Sequence, residues 1–172
     1  MAKKTLALAL LLLSACVLSA AKPDFGLEIL SSASLNRIEN IESFSLNGGC
    51  GLSMYLKTDN AVEIALSAGA VKAQSFLNLN RFSSSGDYTS VYLKIGVRGG
   101  FFGINAGAQI LFPQAFGSII IPAFTADFSL FREAVTGETL ALCLGAVVSV
   151  ALGRSFSSCG LGLCVMGLWR NQ

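Results

Sequence analysis

The residues able to do chemistry are few, and the most informative fact about them is an absence: the chain contains no histidine. Ser-His-Asp and Cys-His nucleophile sets therefore cannot be assembled. Cysteines stand at Cys16, Cys50, Cys143, Cys159 and Cys164, with no CxxC spacing among them. Without histidine or that spacing, neither a zinc site nor a catalytic metal is expected. Ser83, Ser84 and Ser85 form a run that suits a solvated loop better than a catalytic set. The pairs Gly48-Gly49 and Gly99-Gly100 lack the strand–loop–helix setting of a phosphate cradle, so turn and curvature roles are expected of them. What remains is a charged set: Glu28, Glu63, Lys94, Arg98 and Asp127. Acids and bases in this mixture suit ion pairing in a poorly solvated interior, where an unpaired charge is very costly. The inventory predicts no enzyme and no cofactor.

Each of the five charged residues lies on the polar side of a segment with period-two alternation, the pattern of a strand with one apolar face. Eight such segments follow one another at about 24–36, 44–57, 61–75, 88–98, 101–112, 118–132, 139–153 and 159–170. In the second, Phe44, Leu46, Cys50, Leu52, Met54 and Leu56 alternate with Ser45, Asn47, Gly49, Gly51, Ser53 and Tyr55. In the seventh, the large apolar residues Leu140, Leu142, Leu144, Val148, Val150 and Leu152 alternate with Cys143, Gly145, Ser149 and Gly153. One face is large and apolar; the other is small, polar or glycine.

A soluble sandwich would turn the apolar face inward, but three features favour the inside-out arrangement. The segments exceed the ~5–6 residues of an ordinary strand and reach the ~9–11 needed to cross a bilayer. Short turns at 58–60, 99–100 and 136–138 alternate with longer connections at 37–43, 76–87, 113–118 and 154–158, as in outer-membrane barrels. Aromatic residues gather at strand ends: Phe25, Phe102, Phe131 and Trp169 at the short-turn end, and Phe44, Phe76, Tyr88, Phe112 and Phe156 at the other. Two interfacial girdles are expected from them. The composition agrees: 53% of residues are hydrophobic and 13% charged, against about 25% charged in a soluble domain. The predicted fold is all-β, an eight-stranded antiparallel up-and-down transmembrane β-barrel, whose closure leaves no edge exposed to lipid. The helical rival, a membrane helix over 139–153, is shorter than the ~20 residues required and rich in valine.

In this barrel the five charges point into the lumen, in the half nearest the short turns, as a plug of salt bridges or as a gate. The other half is lined by Gly49, Ser67, Gly69, Gln109, Ser149, Gly153 and Gly160. Small residues there either relieve crowding or leave an outward-facing pocket. Cys143 and Cys164 face inward on neighbouring strands but at different heights, so no disulfide is expected.

The N-terminus reads as an export signal: Lys3 and Lys4, an apolar stretch over 5–18, then Ser19, Ala20 and Ala21 at a cleavage site. The expected division is a signal peptide over 1–21 and a barrel over 22–172. Leu13-Ser14-Ala15-Cys16 offers an alternative, a lipobox that would place a lipid on Cys16. Without Lys3 and Lys4, ten basic and ten acidic residues remain of the 12 and 10 in the whole chain, which gives no footprint for nucleic acid.

With these strands and turns the chain resembles the small outer-membrane barrels of the OmpA, OmpX and OmpW type, over the whole mature chain and by architecture. It departs from them at the tail. Leu161, Leu163, Val165 and Trp169 alternate as those families do, but Arg170, Asn171 and Gln172 follow where a terminal aromatic serves the insertion machinery. The resemblance implies a porin-like membrane protein of the cell envelope. It would be exported to the outer membrane and would have outer-membrane lipid and the barrel-insertion machinery as partners. The expected function is non-enzymatic: a structural or surface-interaction role with limited passage or binding of a small solute. One alternative is an adhesin that meets a host surface ligand through loop 76–87. The other is a lipid-anchored or soluble periplasmic barrel that binds a small apolar ligand.

Overall fold

The structure is a computed structural model that describes residues 23–38, 41–58, 62–78, 81–82, 87–114 and 120–171. The segment read as a signal peptide, with Cys16, lies outside the described residues, as does the Ser83–Ser85 run.

The strands are β1 (Asp24–Ile38), β2 (Ile41–Lys57), β3 (Val62–Asn78), β4 (Arg81–Phe82), β5 (Tyr88–Gly99), β6 (Phe102–Pro113), β7 (Ile121–Val135), β8 (Leu140–Gly153) and β9 (Phe156–Trp169). Every pairing is antiparallel, and β1 pairs with both β2 and β9, so the sheet closes on itself. Eight long strands form the wall; β4 only extends the end of β3. The stretch that competed as a helix is strand β8.

A walk around the register shows how far the strands tilt. Leu27 pairs with Leu52, then come Ala68, Leu93, Ala108, Phe124, Leu152 and Ser157, and the walk re-enters β1 at Arg37, ten residues above its start. With ~3.3 Å per residue and ~4.7 Å between strands, that stagger tilts the strands about 40° from the axis. Both ends of the described chain lie at one end, here called the base. The opposite end is the rim.

The alternation is realised as expected. Leu163, Leu52 and Ile95 on the outer face are 69%, 67% and 62% exposed, while Ser45, Ser90 and Met166 on the inner face are fully buried. Large apolar residues thus coat the outside, and the inside holds small and polar residues with a smaller set of buried apolar ones.

Two connections differ from expectation. The strands run further into the connections read as 37–43 and 154–158: β1 reaches Ile38 with β2 starting at Ile41, and β8 ends at Gly153 with β9 starting at Phe156. The inward rows continue through Asn36, Ile38, Ser43, Phe156 and Ser158, while the outward positions become Arg37, Glu42 and Ser157. Where the wall rises beyond the apolar band, the backbone still pairs but the outer face no longer needs apolar side chains, so the alternation of polarity fades before the strand ends.

At the base, the turn between β5 and β6 places Gly100 at φ 55°, a conformation that glycine adopts without steric cost.

Candidate functional site

Among the described residues the lumen is where polar side chains are held away from water, and it is built in layers. At mid-height Lys94 on β5 and Asp127 on β7 form an ion pair of 2.6 Å, each side chain 12% exposed. Lys94 Nζ also lies 4.3 Å from the centre of the Tyr92 ring. Tyr92 lies across the two neighbouring strands, β3 and β2, because Gly69 and Gly51 leave room there; a Cβ at Gly69 would stand 2.5 Å from the tyrosine oxygen. Small residues in this part of the lumen are therefore the seat of one large side chain.

Below this pair, Glu28 accepts hydrogen bonds from the Ser53 hydroxyl and from the Tyr55 hydroxyl, the latter at 3.1 Å. Nearest the base, Arg98 lies between two rings, its guanidinium 5.1 Å from Tyr55 and 5.5 Å from Phe131. Its Nε is 3.9 Å from Glu63 and its Nη2 is 3.9 Å from the Cys143 sulfur, while its buried Nη1 has no hydrogen-bond partner. Tyr55, Ala65, Ala141, Cys143, Met166 and Leu168 pack around it as a base stopper, with Phe131 against them.

All five charged residues predicted to face the lumen do so, with two differences from expectation. Four of them form two ion pairs, whereas Glu28 has no ion-pair partner among the described residues; hydroxyl groups satisfy it instead. The Lys94–Asp127 pair is also at mid-height rather than in the base half, because strand tilt raises each successive strand relative to its neighbour.

The rim half is built differently. A hydroxyl and amide network runs along its inner wall: Ser34 donates to Asn36 at 3.0 Å, Asn36 to Ser45 at 2.7 Å, and Ser45 lies 2.7 Å from Ser75. Asn47 donates to Ser32 and Ser34 at 3.1 and 2.9 Å. Adjoining this network, Ile38, Tyr88, Leu111, Ile121 and Phe156 form a buried apolar cluster with Ala73, Ala123 and Ala151. The Tyr88 and Phe156 rings meet edge to face at 5.5 Å. This rim stopper occupies the place where an outward-facing pocket was the alternative. Between the two stoppers a cavity of about 100 Å³ remains, room for several water molecules.

The girdle assignment needs three corrections. Tyr88 and Phe156 are inward members of the rim stopper, and Phe131 is an inward residue of the base stopper. Their position in the strand decides this: Val91, Leu130 and Cys159 point outward, so residues an odd number of places away point inward. Phe25, Phe102 and Trp169 at the base and Phe44 and Phe112 at the rim lie on the outer face; Phe76 pairs with Phe44, their rings 6.5 Å apart. Phe101, not in the predicted set, is 68% exposed beside Phe102 in the base turn.

The described residues that follow β9 are tied into the base. Buried Asp24 accepts from Lys57 at 3.0 Å and from the Asn171 backbone at 2.8 Å, and Arg170 pairs with Glu133. The Asn171–Asp24 bond joins the first strand to the end of the last, and the two ion pairs tie these ends to β2 and β7. The four described cysteines are unbridged, Cys50 and Cys159 exposed on the outer wall, Cys143 and Cys164 buried within.

No protein-family model matches the chain, and no curated protein matches it in sequence. Among solved structures it is similar to Neisserial surface protein A (NspA), with 12% identity and a TM-score of 0.53 over 83% of this chain and 95% of that one. It is also similar to Ail, the attachment invasion locus protein of Yersinia pestis, with 10% identity and a TM-score of 0.54 over 86% of this chain and 99% of that one. At these identities the likeness is one of fold: the chain has the closed eight-stranded architecture of the small outer-membrane barrels.

Proposed function

We propose that this chain is a non-enzymatic, non-conducting β-barrel of the outer membrane whose role is exercised at its external surface. The observation that carries the reading is the contrast between a wall coated with apolar side chains and a lumen filled at both ends. The wall suits lipid, which favours insertion over the lipid-anchored or soluble alternative; the filled lumen leaves little room for a solute or an apolar ligand. With no histidine in the chain, the usual nucleophile sets are excluded. Outer-membrane lipid and the insertion machinery are the partners this reading requires.

A surface role is supported by the two structural neighbours, one named as a surface protein and the other for attachment and invasion. In this chain the connections between β3 and β5 and between β6 and β7 are the longest at the rim. The rim segment 76–87 is accordingly the proposed contact with a host surface ligand. Its anchors are built in: Asp87 accepts from the Ser75 backbone at 2.6 Å, and Gln114 N donates to the Asp87 carbonyl at 2.9 Å.

Epitope tags test the orientation. A tag between Ser83 and Ser85 should be stained on intact cells, and one between Thr136 and Glu138 only after permeabilisation. The reverse pattern contradicts the reading. Grafting 76–87 onto an inert barrel should transfer host-surface binding, and a graft without binding removes the adhesive role.

A further inference from the structure

We propose that the outer wall holds one phosphorylated lipid just below the rim, with Lys72 as the residue that meets its phosphate. The proposal rests on the reading of this wall as lipid-facing. On β3, Ala73 and Ser75 point inward and are buried, so Lys72 and Gln74 alternate with them onto the outer face, where both are exposed. Thr89 reaches the same face from between the inward Tyr88 and Ser90 of β5. The register sets Lys72 directly beside Thr89 and beside Gly48 of β2, and Gly48 beside the exposed Ser31 of β1. Ser31, Lys72, Gln74 and Thr89 thus form one polar sector. The rest of the wall is unlike it: the outward positions of β6 from Phe102 to Phe112, and of β8 from Leu140 to Leu152, are all apolar.

A cation on the lipid face is costly at the middle of a bilayer and tolerated near its interface. Lys72 stands four residues below Phe76 on the same strand, which is about 10 Å lower at ~3.3 Å per residue and the strand tilt. From there its stem can run up the apolar wall and carry the ammonium to the depth of lipid headgroups. Among the described residues no carboxylate forms an ion pair with it. The anion abundant at that depth is a lipid phosphate. The Gln74 amide and the Thr89 hydroxyl add donors for it on the same face.

The shape of the wall beside Lys72 selects a lipid over a free phosphate. A Cβ at Gly48 would meet nothing within 4 Å, so space is open next to the lysine. The next outward pair towards the base, Cys50 and Ala70, is also small. It lies between Ile29 on β1 and Val91 on β5, large exposed residues that stand out from the wall on either side. Gly48, Cys50 and Ala70 therefore floor a shallow furrow that starts at Lys72 and descends into the apolar band. An acyl chain joined to the phosphate can follow it, and an inorganic ion makes no use of it.

The test is native mass spectrometry of the folded protein released from detergent. The probe is dioleoyl phosphatidic acid, and dioleoylglycerol is the same lipid without its phosphate. One phosphatidic acid per barrel should bind about tenfold tighter than dioleoylglycerol, and Lys72→Gln should remove that advantage while Lys72→Arg keeps it. Gly48→Leu leaves the charge and fills the furrow, so it should weaken binding as well. Arg132→Gln removes an exposed cation near the base and should change nothing. Excess inorganic phosphate should not displace the lipid. Insertion into phosphatidylcholine vesicles, read by heat-modifiable gel migration, is scored separately. A barrel that fails to insert contradicts the lipid-facing wall itself, whereas an inserted barrel without a phosphate preference contradicts this site alone. Equal retention of the two lipids, retention unchanged by Lys72→Gln or by Gly48→Leu, an equal loss in Arg132→Gln, or displacement by inorganic phosphate would each overturn the proposal.

Discussion

The two halves of the lumen solve one packing problem with different chemistry. The base half is filled with charges, aromatic faces and sulfur: Arg98 between Tyr55 and Phe131, Glu63 beside it, Cys143 and Met166 against it. The rim half is filled with neutral groups, a hydroxyl and amide network and an adjoining apolar cluster. A buried charge depends on its partner, because removing one member strands the other in a medium that solvates it poorly. A neutral network loses only a hydrogen bond or two with each side chain and strands no charge. The base should therefore be brittle to single substitutions and the rim tolerant of them.

The largest effect is expected at the mid-height ion pair, where the charged chemistry that fills the base reaches its upper limit against the neutral rim. Lys94→Met leaves Asp127 buried without a cation and should cost about 3–5 kcal/mol, whereas Lys94→Met combined with Asp127→Leu should recover most of the loss. Urea unfolding in lipid vesicles measures both. A double variant as unstable as the single one would mean that the pair is not what holds this layer.

The next effect concerns Tyr92. Gly51→Ala places a methyl group against the Tyr92 hydroxyl oxygen and 3.1 Å from the Ala68 carbonyl. The expected cost is about 1–3 kcal/mol. Tyr92→Phe removes the nearest atom, so it should offset part of that cost in the double variant. If it does not, the clash with the Ala68 backbone is the controlling one.

The smallest effect belongs to the rim network. Ser45→Ala removes the acceptor of Asn36 and the neighbour of Ser75, and should cost about 1 kcal/mol. Combined with Lys94→Met, the costs should simply add, since the two layers share no partner. A coupling above ~0.5 kcal/mol would show that the halves do not act independently.

The inside and outside of the barrel were legible in the sequence because a strand reports its faces at period two. Leu52 and Ser53 could not exchange faces without moving every neighbour. Strand ends were less legible. Arg37, Glu42 and Ser157 continue paired backbone above the apolar band, where outer-face polarity no longer distinguishes a strand from a loop. Tyr88, Phe131 and Phe156 were legible and misassigned: height along the strand suggested a girdle, whereas counting places from Val91, Leu130 and Cys159 turns each inward. The partners inside the lumen were not legible. Lys94 meets Asp127, and Tyr92 lies over Gly51 and Gly69, only once the ten-residue stagger fixes how high each strand stands.

The two stoppers also act in series. Arg98→Ala opens the base and leaves Tyr88, Leu111 and Phe156 across the rim, so it alone should not create a path, and Tyr88→Ala/Phe156→Ala alone should not either. Single-channel recording on folded protein in planar bilayers therefore tests the central claim most directly. The account predicts silence from the unsubstituted barrel and from either partial opening, with conductance only when both stoppers are removed. Steady conductance from the unsubstituted protein, rising with the amount of folded barrel inserted, would contradict it.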